Sequence, residues 1–215
     1  MTIPEKSLKV LVVDDDIFIK NLISELICKL GYKCNTVTNV NDALIAIDNF
    51  TPNLIITELD LGKGPSGLNL INKIALNYPE IDVMVLTNHR SPLLVDTNFK
   101  EFPTKINYVL KSEISSSNTI ENLLQKVLNK KSIGNGNLNL KNEGIFISKT
   151  QAELLRLIVQ GLSNQAIAEK RGTTLRAVEA LINRTYEALN LHESESKNLR
   201  VEAVKMWKSS LINVK

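Results

Sequence analysis

The sequence predicts an α/β domain built as a doubly wound five-stranded parallel sheet, followed by a small all-α helix-turn-helix domain. Three observations carry this. Short, apolar, β-branched runs alternate with segments whose apolar residues recur at helical spacing, the pattern of a parallel sheet covered on both faces. Four of these runs end on a chemically distinctive residue. Beyond about residue 146 helical patterns follow one another, broken by glycine turns.

The first strand is Leu8-Lys9-Val10-Leu11-Val12-Val13, which runs into Asp14-Asp15-Asp16. Ile19, Leu22, Ile23, Leu26, Ile27 and Leu30 then share a helical face, and Gly31 stops that helix. Cys28 and Cys34 flank the helix end and the next strand. Pro52 to Glu58 reads as a strand buried on both faces and ending on a carboxylate. The loop Gly62-Lys63-Gly64-Pro65-Ser66-Gly67 leads to a helix marked by Leu68, Ile71, Ile74 and Ala75. Asp82 to Thr87 is a strand ending on a hydroxyl, and Asn107 to Lys111 one ending on an ammonium.

Between them Ser91 and Pro92 can open a helix as N-cap and first residue. Val95 and Thr97 make it a weak one, and Pro103 ends any continuation. His89, just before, reads as a solvent-facing loop residue rather than a phosphoryl or metal group. Lys130 to Asn137 is polar and rich in glycine and asparagine, which marks a linker. The expected organisation is a first domain over residues 1–128, a linker over 129–145 and a second domain over 146–215.

In the second domain Ser148-Lys149-Thr150-Gln151 fits a capping box, followed by Leu154, Leu155, Leu157 and Ile158 on one face. Gly161 closes that helix. A short helix from Ser163 ends at the turn Gly172-Thr173-Thr174, and a longer one runs from Leu175 through Arg184. That succession is a helix-turn-helix. A last helix carries Leu199, Val201, Ala203, Val204, Met206 and Trp207.

Composition agrees with two modest domains. The 215 residues are 43% hydrophobic and 5% aromatic. No run approaches the roughly 18 to 20 apolar residues of a membrane span, and Met-Thr-Ile-Pro-Glu-Lys lacks a signal-peptide core. A cytoplasmic protein with two free thiols is expected. Residues 1–130 hold 13 Lys/Arg against 15 Asp/Glu, and residues 131–215 hold 13 against 8. The second half therefore carries the positive charge that nucleic-acid phosphates attract.

Acids, a hydroxyl and a lysine at four strand ends resemble the receiver domain of bacterial response regulators, a flavodoxin-like fold. The resemblance implies that Asp14 and Asp15 hold a magnesium ion and that Thr87 and Lys111 bind phosphoryl oxygens. Tyr108 falls on the aromatic switch position. The phosphoacceptor position, an aspartate in that family, is Glu58. A glutamate carries its oxygens up to about 1.5 Å, one C–C bond, further from the backbone. It also brings a permanent charge, although a phosphoryl group would bring about −1.5 to −2. Glu58 joined to Asp14 and Asp15 also makes a hard-cation set suited to Mg²⁺. Crowded acids raise each other's pKa unless a cation or Lys111 compensates. Asp60, two residues on, is the alternative acceptor.

Gln160-Gly161-Leu162-Ser163-Asn164-Gln165-Ala166-Ile167-Ala168, with Val178 and Leu189, resembles the LuxR/NarL/FixJ-type DNA-binding domain. The resemblance implies that Glu179, Ala180 and Asn183 face base edges. Thr173, Thr174, Arg176 and Arg184 would then meet the DNA backbone, and the last helix would support a homodimer. Asparagine can pair with adenine and glutamate can accept from cytosine. Glu179 replaces a frequent lysine, and Leu181 a frequent histidine.

The sequence reading is therefore a transcriptional regulator, not an enzyme, that works on double-stranded DNA without aspartyl phosphate. Its input would be a regulatory protein, a small ligand or abundance. The alternatives are a phosphorelay regulator using Asp60, a Mg²⁺-dependent phosphohydrolase, a relic pocket and a helical interaction module without DNA.

Overall fold

The computed structural model describes residues 8–104, 106–114, 117–128, 144–192 and 197–215. The chain forms two units. One takes the residues up to Thr87 and Lys100–Asn139, and the other takes Asn88–Phe99 together with Leu140–Lys215.

In the first unit, strands β1 (Lys9–Val13), β2 (Lys33–Val37), β3 (Leu54–Thr57), β4 (Asp82–Thr87) and β5 (Asn107–Leu110) form one sheet in the order β2-β1-β3-β4-β5. Every pairing is parallel. The strands are continuous apolar runs because both faces are covered: Val10, Leu11, Val12 and Val13 are all buried. One face packs Val10, Val12, Leu54, Ile56, Met84 and Leu86 with Ile23 and Ile27 of α1 (Ile17–Lys29) and Ile120 and Leu124 of α4 (Ser117–Leu128). Helices α2 (Val40–Phe50) and α3 (Gly67–Asn77) contribute the buried apolar residues Ala43, Ile47, Leu70 and Ile71.

Local chemistry sets the helix ends. Asp16 caps α1 by accepting from Phe18 and Ile19 backbone N–H groups, and Ser66 with Asn69 forms a capping box on α3. The strand order reverses between β1 and β3, which opens a crevice at the carboxyl ends of the strands. Asp14, Glu58, Thr87 and Lys111 stand there.

The second unit contains α5 (Lys149–Val159), α6 (Asn164–Arg171), α7 (Leu175–Ala188) and α8 (Leu199–Lys208). The capping box of Ser148 and Gln151 is present, and Ser163 and Thr174 cap α6 and α7. Gly172 ends α6 in the left-handed region at φ +61°, where a side chain would be strained. The unit is not purely helical. β6 (Ile145–Ile147) and β7 (Ile212–Val214) pair in parallel, two β-branched stretches that the sequence reading left unassigned.

Residues 88–99 depart from the expected first-domain boundary, because they belong to the second unit. Ser91 does cap and Pro92 does open a helix, but it is a single 3-10 turn, Pro92–Leu94. Leu94, 2% exposed, is buried in one cluster with Leu154, Ile158, Ile167, Val178, Ala203 and Trp207. His89 is likewise not a surface residue. It is buried with its ring set edgewise to Trp207, centroids 5.0 Å apart. The Arg90 guanidinium donates to the Ser210 carbonyl, and Arg156 donates to that of Val95 at 2.6 Å. The predicted linker falls mostly outside the described residues. Among the described residues no helix is long and apolar enough to cross a membrane.

Candidate functional site

Four strand ends of the first unit converge on Glu58. β3 carries it into the crevice, and its carboxylate is 4% exposed with the rest of the residue. One oxygen, Oε1, accepts from the Thr87 hydroxyl and from the Leu59 backbone N–H at 2.6 Å. The other, Oε2, lies 2.9 Å from the Lys111 ammonium. The same ammonium lies 2.7 Å from Oδ2 of Asp14, whose other oxygen accepts from the Asp16 N–H at 2.9 Å. Glu58 thus ties β3 to β4 through a hydroxyl and to β5 through an ion pair.

The charges in this pocket do not cancel, since two buried acids share one ammonium. Burial pushes the Asp14 carboxyl above the ordinary aspartate range even with Lys111 beside it. Asp15 is also pushed up, first by partial burial and then by the charges of Asp60 and Glu58. The Lys111 ammonium goes the other way from a lone buried amine. Burial alone would depress its pKa, but Glu58 and Asp14 hold it above the ordinary lysine value. Half-buried Tyr108, whose ring meets Phe102 at 6.1 Å, has its hydroxyl held well above the usual tyrosine range by burial and by Glu58.

The metal set expected from Asp14, Asp15 and Glu58 is not assembled. Asp14 and Glu58 both turn to Lys111, while Asp15 stays at the surface. Among the described residues no three His, Cys, Asp or Glu side chains are gathered around a point that would suit a metal ion. The ammonium stands where the two buried acids converge, so the arrangement does not fit a divalent cation. Asp60 is half-buried, and its carboxylate accepts from the Gly62 N–H at 3.3 Å. Cys28 and Cys34 are free thiols.

In the second unit α7 is amphipathic. Val178, Ile182, Thr185 and Tyr186 face the core. Arg176, Glu179, Ala180, Asn183 and Arg184 are all exposed, as are Thr173 and Thr174 at the turn before it. The predicted interface residues therefore share an open face. Beside it lies a cleft of about 250 Å³ that gathers Thr173 and Arg184 with Thr150 and Arg171. The last two were missed in the sequence. Arg171 ends α6 immediately before the Gly172 turn, and that position was the only available sign.

Residues 10–102 match the response regulator receiver domain family. The regulator NtrC of Salmonella typhimurium is 31% identical over 78 residues, which is 36% of this chain but only 16% of NtrC. A probable transcriptional regulator, ycf29 of Cyanophora paradoxa, is 26% identical over 195 residues, covering 83% of this chain and 89% of its own. Among solved structures the response regulator RcsB, bound to DNA, superposes with a TM-score of 0.53 at 17% identity, over 95% of this chain and all of its own. Over residues 10–102 the chain matches the receiver domain family, and its likeness to ycf29 and to the fold of RcsB extends across the helix-turn-helix unit.

Proposed function

We propose that this protein is a cytoplasmic, DNA-binding transcriptional regulator, acting as a homodimer, whose receiver works without aspartyl phosphate. One observation carries the second half of that reading. The Glu58 carboxylate already accepts from Thr87 and pairs with Lys111, the two groups that the family resemblance assigns to phosphoryl oxygens. Glu58 acts as a resident anion in the place of a transferred one. Support for the DNA half comes from the exposed face of α7 and from the likeness to a fold solved on DNA. Input then comes from a partner protein, a small ligand or abundance, the first two by favouring one of two states.

The test is an anisotropy titration of the full chain on duplex DNA from its own upstream region, with and without Mg²⁺ and acetyl phosphate. Unchanged, sequence-preferring affinity is the expected result. Tighter binding with the phosphodonor, abolished by Asp60→Asn, would make the protein a phosphorelay regulator instead. Release of phosphate from acetyl phosphate with turnover would point to the hydrolase.

A further inference from the structure

The cleft beside α7 places two arginines and two threonines around an apolar floor that includes Ala177 and Val178. Such a set suits a phosphodiester: guanidinium forks give charge and paired donors, and hydroxyls complete the shell. Arg171 is the unusual member. It is largely buried, its side chain 22% exposed, and its Nη1 donates to Oε2 of Glu153 at 3.1 Å. A guanidinium has five N–H donors, so this bond leaves others for a ligand. The other oxygen of Glu153 accepts from the Thr97 hydroxyl at 3.0 Å. One turn along α5, Arg156 holds the Val95 carbonyl. Segment 88–99 is thereby fixed to α5 on both sides of Asp96, and Glu153 is gripped from that segment by one oxygen and holds Arg171 by the other.

We infer that Thr150 and Arg171 complete, with Thr173 and Arg184, a binding site for a backbone phosphate of duplex DNA. Thr97 and Glu153 are positioning residues for Arg171. They act through it and touch no nucleotide. The inference rests on the DNA-binding reading above and adds residues to that interface from α5, α6 and a segment far upstream in the sequence.

Full-length protein is titrated by anisotropy against its own upstream duplex and an unrelated duplex over a salt series. Arg171→Gln is expected to weaken both duplexes alike and to flatten the slope of log K against log salt by about 0.9, one phosphate contact. Arg171→Lys, which keeps the charge without the fork, should retain the slope and lose part of the affinity. Thr97→Val removes a hydrogen bond but no charge, so about a threefold weakening at unchanged slope is expected. Thr97→Ser should restore the binding. Wild-type affinity and slope in Arg171→Gln would overturn the site. Wild-type affinity in Thr97→Val, with Arg171→Gln impaired, would overturn the positioning role alone. Failure of the unchanged chain to bind any duplex would overturn both the site and the reading beneath it.

Discussion

Gly67 leaves its space to the carbonyl of Glu58: a Cβ at Gly67 would stand 2.0 Å from that oxygen and 3.0 Å from its carbon. The first residue of α3 therefore packs directly on the backbone of the pocket's central carboxylate. Neither atom belongs to a flexible side chain, so the clash is relieved only by moving backbone. Gly67→Ala is expected to destabilise the first unit by about 1–3 kcal/mol, the usual cost of overpacking. Urea denaturation followed by far-ultraviolet dichroism would measure it, and a midpoint unchanged from the unaltered chain would refute it.

Lys111 pairs with both buried acids, so its loss should cost more than the loss of either acid. Lys111→Met leaves Asp14 and Glu58 desolvated and mutually repelling, and a loss of about 3–5 kcal/mol is expected. Asp14→Asn placed in that background should recover part of the loss, because one buried charge is then gone. A double-mutant cycle on denaturation midpoints reads the recovery. The raised lysine pKa fixes the pH range of the effect. The native state holds the proton more tightly, so the contribution is complete below the ordinary lysine value and fades only as pH climbs through the higher folded value.

Asp15 works against the fold at neutral pH. Its pKa is raised above 3.8, so the native state binds the proton more tightly than the unfolded chain. Stability linked to Asp15 is therefore greatest at low pH and declines as pH rises through 3.8 toward the folded value. Asp15→Asn should be the more stable chain near pH 7, by less than about 1 kcal/mol because the group is solvent-screened. That advantage should shrink toward about pH 4. An advantage that grew on acidification would contradict the assignment.

Leu94 follows the fourth strand in sequence yet belongs to the core of the helix-turn-helix unit. Leu94→Ala should therefore destabilise that unit by about 2–5 kcal/mol, as large-to-small core changes do. Trp207, the one tryptophan of the chain, is buried in the same cluster and provides the fluorescence signal. Hydrogen exchange should rise in α5, α7 and α8 and stay unchanged in β1 and β3. Exchange rising in the sheet instead would return Leu94 to the first unit.

What was legible in the sequence was what periodicity and chain order encode. The apolar runs read as ending at Glu58 and Lys111 stop one residue earlier in the structure, at Thr57 and Leu110, and their order implied that their ends share a crevice. Glu58 was identified by its place in that order, but its double engagement was not visible, since it depends on how far one side chain reaches. The pairing of the buried acids was hidden for a related reason. Spacing could not show that Lys111 would turn to both Asp14 and Glu58, leaving Asp15 outside. Segment 88–99 has no periodicity, so the sequence showed apolar residues without showing which core would receive them. Arg171 and Glu153, 18 residues apart on different helices, meet only through the packing of α5 and α6.

The burial of Leu94 and His89 bears on how such a chain can be recombined. A crossover in the region before Ile145 would deliver α5 to α8 without residues 88–99, leaving the receiving partner to supply a replacement for Leu94 beside Trp207. Exchange of the two halves between relatives is thus constrained by a short internal stretch inherited with the sheet.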